Sequence, residues 1–164
     1  MLSQETASGQ HPPLVAGMMA RIICEAEQSS FYRPLASEQP GQRANIAEAV
    51  ARNACDIARD IGARVLVAFT ESGLTARYAS KHRPVVPIIA FSPNPSTLRR
   101  LALLWGVIPH ELDAMRHADE MVDRATAYLL ANGFVSPGDK FVAIFGAPVG
   151  VTGTTNSIRV RVVE

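Results

Sequence analysis

Two short stretches hold the residues best suited to chemistry. The first, Thr70-Glu71-Ser72-Gly73-Leu74-Thr75, packs three hydroxyls and a glycine directly behind the apolar run Val65–Phe69. The second, Gly146-Ala147-Pro148-Val149-Gly150-Val151-Thr152-Gly153-Thr154-Thr155-Asn156, combines three glycines with three threonines. Both point to anion binding. Free N–H groups at a helix start favour a negative group through direction and dipole. Hydroxyls add donors, and glycines let backbone approach a ligand closely. Each stretch also has a plainer reading. Ser72 could simply cap a helix, and the glycines could serve a wide hairpin that needs positive φ. The second stretch is not a P-loop, because no Gly-Lys-Ser/Thr follows and a strand comes next.

No complete catalytic set accompanies them. His11, His82, His110 and His117 lack metal-ligand spacing and read as surface or helix-end residues. No Gly-x-Ser-x-Gly elbow occurs. Trp105 closes an apolar helix and reads as core or interface. Cys24 and Cys55 fall in helical patterns without CxxC spacing and read as small, buried, reduced side chains.

The elements that position the two stretches follow from periodicity. A loop is expected over residues 1–13, then a helix over 14–29 with Val15, Met18, Met19, Ile22 and Ile23 on one face. Residues 31–41, with Pro34, Pro40 and Gly41, read as a linker. A helix over 42–61 should turn Ile46, Val50, Ala54, Ile57 and Ile61 inward and end at Gly62. Strands are expected at 64–69, 86–91, 106–109 and 140–145, with helices at 73–81, 96–104 and 115–132 between them. The last strand alternates Ile158, Val160 and Val162 with Arg159 and Arg161, which suggests an edge strand with its charges toward water. Strands separated by helices imply a mostly parallel α/β sheet, and the closing pair can be antiparallel.

The 164 residues amount to about one domain, enough to bury roughly 70% of the unfolded surface. A 48% apolar share and a mean hydropathy of +0.10 describe a globular chain. A net charge of +1 gives no argument for nucleic acid or an anionic membrane as partner, and neither is expected. No apolar run reaches the ~20 residues of a membrane helix, so a cytoplasmic location is expected.

Taken together, these residues resemble pyruvate kinase over nearly the whole chain. Met1-Leu2-Ser3-Gln4-Glu5-Thr6-Ala7-Ser8-Gly9 with Pro12 looks like the segment after the last strand of that family's catalytic barrel. Met18-Met19-Ala20-Arg21-Ile22 and Glu25-Ala26-Glu27 resemble its last helix. Thr70–Gly73, Arg83-Pro84, Pro87-Ile88, Arg99–Ala102, Gly138-Asp139 and Pro148–Asn156 fit the C-terminal domain in order and spacing. The resemblance implies a barrel remnant over 1–30, a linker over 31–41 and the C-terminal domain over 42–164. The implied fold is three-layered α/β/α, a five-stranded mixed sheet with the last strand antiparallel, preceded by an extra N-terminal helix.

It further implies a regulatory and assembly domain that binds a phosphorylated effector, a sugar phosphate or nucleotide monophosphate. The implied site residues are Thr70, Glu71, Ser72, Gly73, Leu74 and Thr75, with Gly150, Thr152, Gly153 and Thr154 closing over the ligand. A homo-oligomer is also implied. The family's catalytic residues, with their Mg²⁺ and K⁺, would fall on the barrel before residue 1. No cofactor and no turnover by these residues alone are therefore expected. Two positions depart from the family pattern: Gln4 replaces a usual glycine, and Glu71 and Leu74 stand where bisphosphate-regulated members carry basic residues. A carboxylate there would repel a second phosphate, which favours a monophosphate or no effector. The alternatives are a purely structural module and an independent small phosphate-ligand-binding protein.

Overall fold

The computed structural model describes residues 1–30, 45–115, 117–151 and 153–164. The chain divides into two compact units, Met1–Ala36 and Ser37–Glu164. The linker expected over 31–41, and the first turn of the helix expected from 42, lie outside the described residues.

In the first unit, α1 (Gln4–Ala7) precedes α2 (Pro12–Gln28). The loop expected over 1–13 is thus corrected. Glu5 organises a turn by accepting from the Ser3 N–H at 3.1 Å and the Ser3 hydroxyl at 2.9 Å. The proline pair opens α2, where a missing N–H costs nothing. Cys24, expected to be buried, is exposed.

The second unit is built on five strands in the order β3-β2-β1-β4-β5. These are β1 (Val65–Phe69), β2 (Ile88–Ser92), β3 (Val107–Glu111), β4 (Lys140–Gly146) and β5 (Thr155–Val162). The first four run parallel, and β5 is antiparallel to β4. Strand residues alternate between two cores. Leu66, Ala68, Ile88, Ala90, Val142 and Ile144 face α3 (Ile46–Asp60), α4 (Leu74–Lys81) and α5 (Pro95–Leu101). Val65, Val67, Phe69, Ile89, Phe91 and Phe141 face α6 (Ala118–Ala131). The expected three-layer arrangement is the observed one.

The expected inward face of α3 holds except at Ile46, whereas that of β5 is turned round. In α3 the buried line is Ala47, Ala51, Ala54, Cys55 and Ala58, while Ile46 is 72% exposed. Alanines let α3 lie close against the sheet and α4, and the partly buried Val50, Ile57 and Ile61 flank that seam. Cys55 is buried as expected, and loss of hydration pushes its thiol up to about 12. In β5 the arginines do not point to open water. Arg159 pairs with Asp119 and Arg161 with Asp123 (3.1 Å), both on α6. The half-exposed side is the apolar one, Val160 and Val162.

Candidate functional site

A cleft opens at the carboxyl ends of β1 and β4, where the chain's direction of progress across the sheet reverses. After β1 the strands step outward to β2 and β3, and then α6 carries the chain back to β4 on the other side of β1. Open α/β sheets bind ligands at such a reversal. The cavity of about 90 Å³ is several times the roughly 10–15 Å³ one water requires, so it admits a small polar group.

Residues 70–75 form one wall. Thr70, Glu71, Ser72, Leu74 and Thr75 line the cleft. Gly73, buried between them, sits at φ 92° as the residue before α4. The capping role considered for Ser72 is therefore corrected: Gly73 holds the cap position, and no side chain caps the helix. Thr70 Oγ1 instead accepts from the Gly73 N–H at 3.0 Å. The N–H groups of Leu74, Thr75 and Ala76 are then those an α-helix cannot satisfy internally. Because Thr70 is the acceptor in that bond, its own hydroxyl hydrogen is left to give. The loop is anchored from α5, where Thr97 Oγ1 donates to the Glu71 carbonyl at 2.8 Å and receives a bond from Arg100 at 3.1 Å.

The loop between β4 and β5 forms the facing wall. Gly150, Gly153 and Thr154 line the cleft, and Gly150 and Gly153 use φ of 85° and 81°. Thr152 lies outside the described residues. Thr154 Oγ1 donates to the Val151 carbonyl at 2.7 Å, so its hydrogen is spent inside the loop. Asn156 fastens the base of the loop: its side-chain oxygen accepts from the Ala147 N–H at 2.9 Å and its NH₂ donates to the Ala147 carbonyl at 2.7 Å. A Cβ on Gly146 would fall 2.5 Å from Thr154 Oγ1, so the strand end must stay bare.

The remaining wall lay beyond local sequence reading. Phe69 and Phe91 form an aromatic floor with ring centroids 5.6 Å apart, and Leu112, Asp113, Met115 and Met121 continue it. Thr155 also lines the cleft. His110, expected at the surface or a helix end, packs among Phe91, Tyr128 and Phe134 instead. Burial lowers its pKa, which keeps the ring neutral against the Tyr128 hydroxyl at 2.7 Å. The cleft's charges are negative: Glu71 and Asp113 are acidic, and no Lys or Arg lines it among the described residues. Arg124 approaches Asp113 at 3.8 Å.

Among the described residues no group of three His, Cys, Asp or Glu is placed to hold a metal ion. Nor is any helix among them long and apolar enough to cross a membrane.

Comparisons with known proteins agree with this fold. The family described as "Pyruvate kinase, alpha/beta domain" matches residues 48–161. The chain is 37% identical to a pyruvate kinase of Clostridium acetobutylicum over 165 residues, covering 100% of this chain and 35% of that protein. A pyruvate kinase of Agrobacterium vitis is 39% identical over 161 residues, 98% of this chain and 34% of its own length. Among solved structures, a pyruvate kinase from Cryptosporidium parvum superimposes with a TM-score of 0.82 at 30% identity, over 100% of this chain and 32% of that one. The chain thus spans about a third of the length of these relatives. With the mixed sheet, the strand order and the family match in agreement, the chain belongs to the pyruvate kinase family and comprises its C-terminal alpha/beta domain.

Proposed function

We propose that this chain is a regulatory and assembly part of a pyruvate kinase, binding a phosphorylated small molecule at the start of α4. The observation that supports this reading most strongly is the convergence, at the sheet's reversal point, of an uncapped helix start with the Thr70, Ser72 and Thr75 hydroxyls. The ligand carries one phosphate. Glu71 repels a second one, and Asp113 adds to this although Arg124 stands 3.8 Å from it. Phe91, Leu112 and Met121 offer the ligand's less polar end an apolar wall. In this reading the chain supplies no phosphoryl-transfer step of its own.

Calorimetric titration with AMP, ribose 5-phosphate, glucose 6-phosphate and fructose 1,6-bisphosphate tests it. Saturable binding of a monophosphate is expected, with the bisphosphate weaker. Ser72→Ala removes an exposed hydroxyl without disturbing the core. It should weaken that binding about tenfold, since one hydrogen bond to a charged group is worth roughly 1.5–3 kcal/mol. Silence from all four ligands with the protein folded would leave assembly as the role.

A second observation favours assembly. β5 is an edge strand, and its Val160 and Val162 side chains are 48% and 53% exposed. Exposed β edges with apolar side chains invite pairing. We propose a homo-oligomer, and sedimentation equilibrium should give a dimer or larger species at micromolar concentration. A monomer throughout would count against it.

A further inference from the structure

The buried contact between Thr75 and Thr155 joins residues eighty positions apart across the cleft. Their Oγ1 atoms lie 2.7 Å from each other, and the residues are only 4% and 6% exposed. Two hydroxyls bring two hydrogens, and the bond between them uses one. Among the described residues neither hydroxyl has another partner. One hydrogen of this pair therefore sits in a nine-tenths buried place, on the wall of the cleft, with no acceptor for it among the described residues. Such a donor is costly unless an acceptor arrives.

Direction settles how the pair would meet a phosphate. Thr75 stands in the first turn of α4, beside the helix N–H groups, whereas Thr155 opens β5. If Thr75 gives its hydrogen to an anion at the helix start, Thr155 must give its own to Thr75. The chain Thr155 to Thr75 to anion is then fully matched, and each bond polarises the next.

We infer that Thr155 is a positioning residue for the bound phosphate: it acts through Thr75, holding that hydroxyl in the orientation that donates to the ligand. The inference rests on the effector reading above and deepens it. It also gives the ligand a mechanical link to the loop that ends at Thr155. That threonine is in register with Gly146 at a β-bulge, so β5 starts where the loop closes. Fixing the hydroxyl of Thr155 fixes one end of the loop over the cleft.

The experiment compares the full chain with Thr155→Val and Thr155→Ser, titrated calorimetrically with ribose 5-phosphate and with inorganic phosphate. Thermal melts establish that each protein is folded. Valine keeps the shape and removes the hydrogen, whereas serine keeps the hydrogen. Thr155→Val should bind about tenfold more weakly, the scale of one lost bond in a charge-assisted chain, and Thr155→Ser should lie within about twofold of the parent on the same scale. Amide hydrogen exchange supplies a second readout: ribose 5-phosphate should slow exchange over residues 146–151 in the parent and the serine variant but not in the valine variant. Should Thr155→Val fail to fold, Thr155→Cys, with its weaker donor, takes its place in the comparison.

Equal binding by the parent and Thr155→Val overturns this inference and leaves the effector site standing. So does a serine variant as weak as the valine one, because packing rather than the hydroxyl would then be responsible. Absence of binding by the parent overturns the effector reading, and this inference with it.

Discussion

Phe91→Ala should lower the unfolding free energy by about 3–5 kcal/mol, the range seen when a buried aromatic ring is cut back to a methyl group. The ring is 2% exposed on β2, in the floor of the cleft. It stacks on Phe69 at 5.6 Å and meets Tyr128 edge-on at 5.4 Å, both geometries that add to simple burial. His110 adds a further ring at 6.3 Å. These three rings cannot collapse together to fill the space of the lost one, so the cavity persists and its cost adds to the lost transfer energy. Urea unfolding followed by circular dichroism measures the effect. Phe91→Leu, which retains most of the volume, should lose clearly less. A loss below about 1 kcal/mol for the alanine variant would mean that the ring cluster repacks freely.

That prediction rests on an arrangement that is only partly legible along the chain. The strands were legible, because Val65–Phe69 and Phe141–Phe145 are continuous apolar runs of strand length. So were the helices before them, α3 and α6, with Gly62 and Gly133 as their stops. The two stretches that form the cleft's polar walls were legible for the same reason, since hydroxyl and glycine content is local. What stayed hidden depends on distant partners. Arg159 and Arg161 suggest a wet face of β5, but Asp119 and Asp123, some forty residues earlier, claim them. Ile46 looks inward by hydropathy, but at the start of α3 it is Ala47 that meets the core, and a step of one residue turns a helix by about 100°. The aromatic floor required the strand order, because Phe91 and Met121 reach the cleft only once β1 has β2 on one side and β4 on the other. His110 reads as a surface or helix-end residue because nothing in its own neighbourhood announces the rings of Tyr128 and Phe134.

Gly73→Val should act on both stability and binding, and the second effect should be the larger. Gly73 holds φ 92° and ψ −4°, a conformation that side-chain-bearing residues adopt only at a cost. A valine there is β-branched and should destabilise the fold by about 1–3 kcal/mol. Its Cβ would stand 3.4 Å from both Thr97 Cγ2 and Leu101 Cδ2, ordinary contact distances, so the branch methyls rather than Cβ itself would press on α5. The backbone relieves that pressure by rotating out of the left-handed region. Rotation moves the Gly73 N–H away from Thr70 Oγ1 and swings the N–H groups of residues 74–76 off their common direction. At least two donors to an anion at the helix start are then misaimed. At roughly 1.5–3 kcal/mol each, that should weaken monophosphate binding a hundredfold or more. Gly62→Val provides the control, because Gly62 also has positive φ (63°) but closes α3 and does not line the cleft. It should show a comparable drop in thermal stability with ligand affinity unchanged. If both variants lost affinity in proportion to their loss of stability, the start of α4 would have no special part in binding. If Gly73→Val alone lost it, the anion must lie where the backbone of residues 73–76 points.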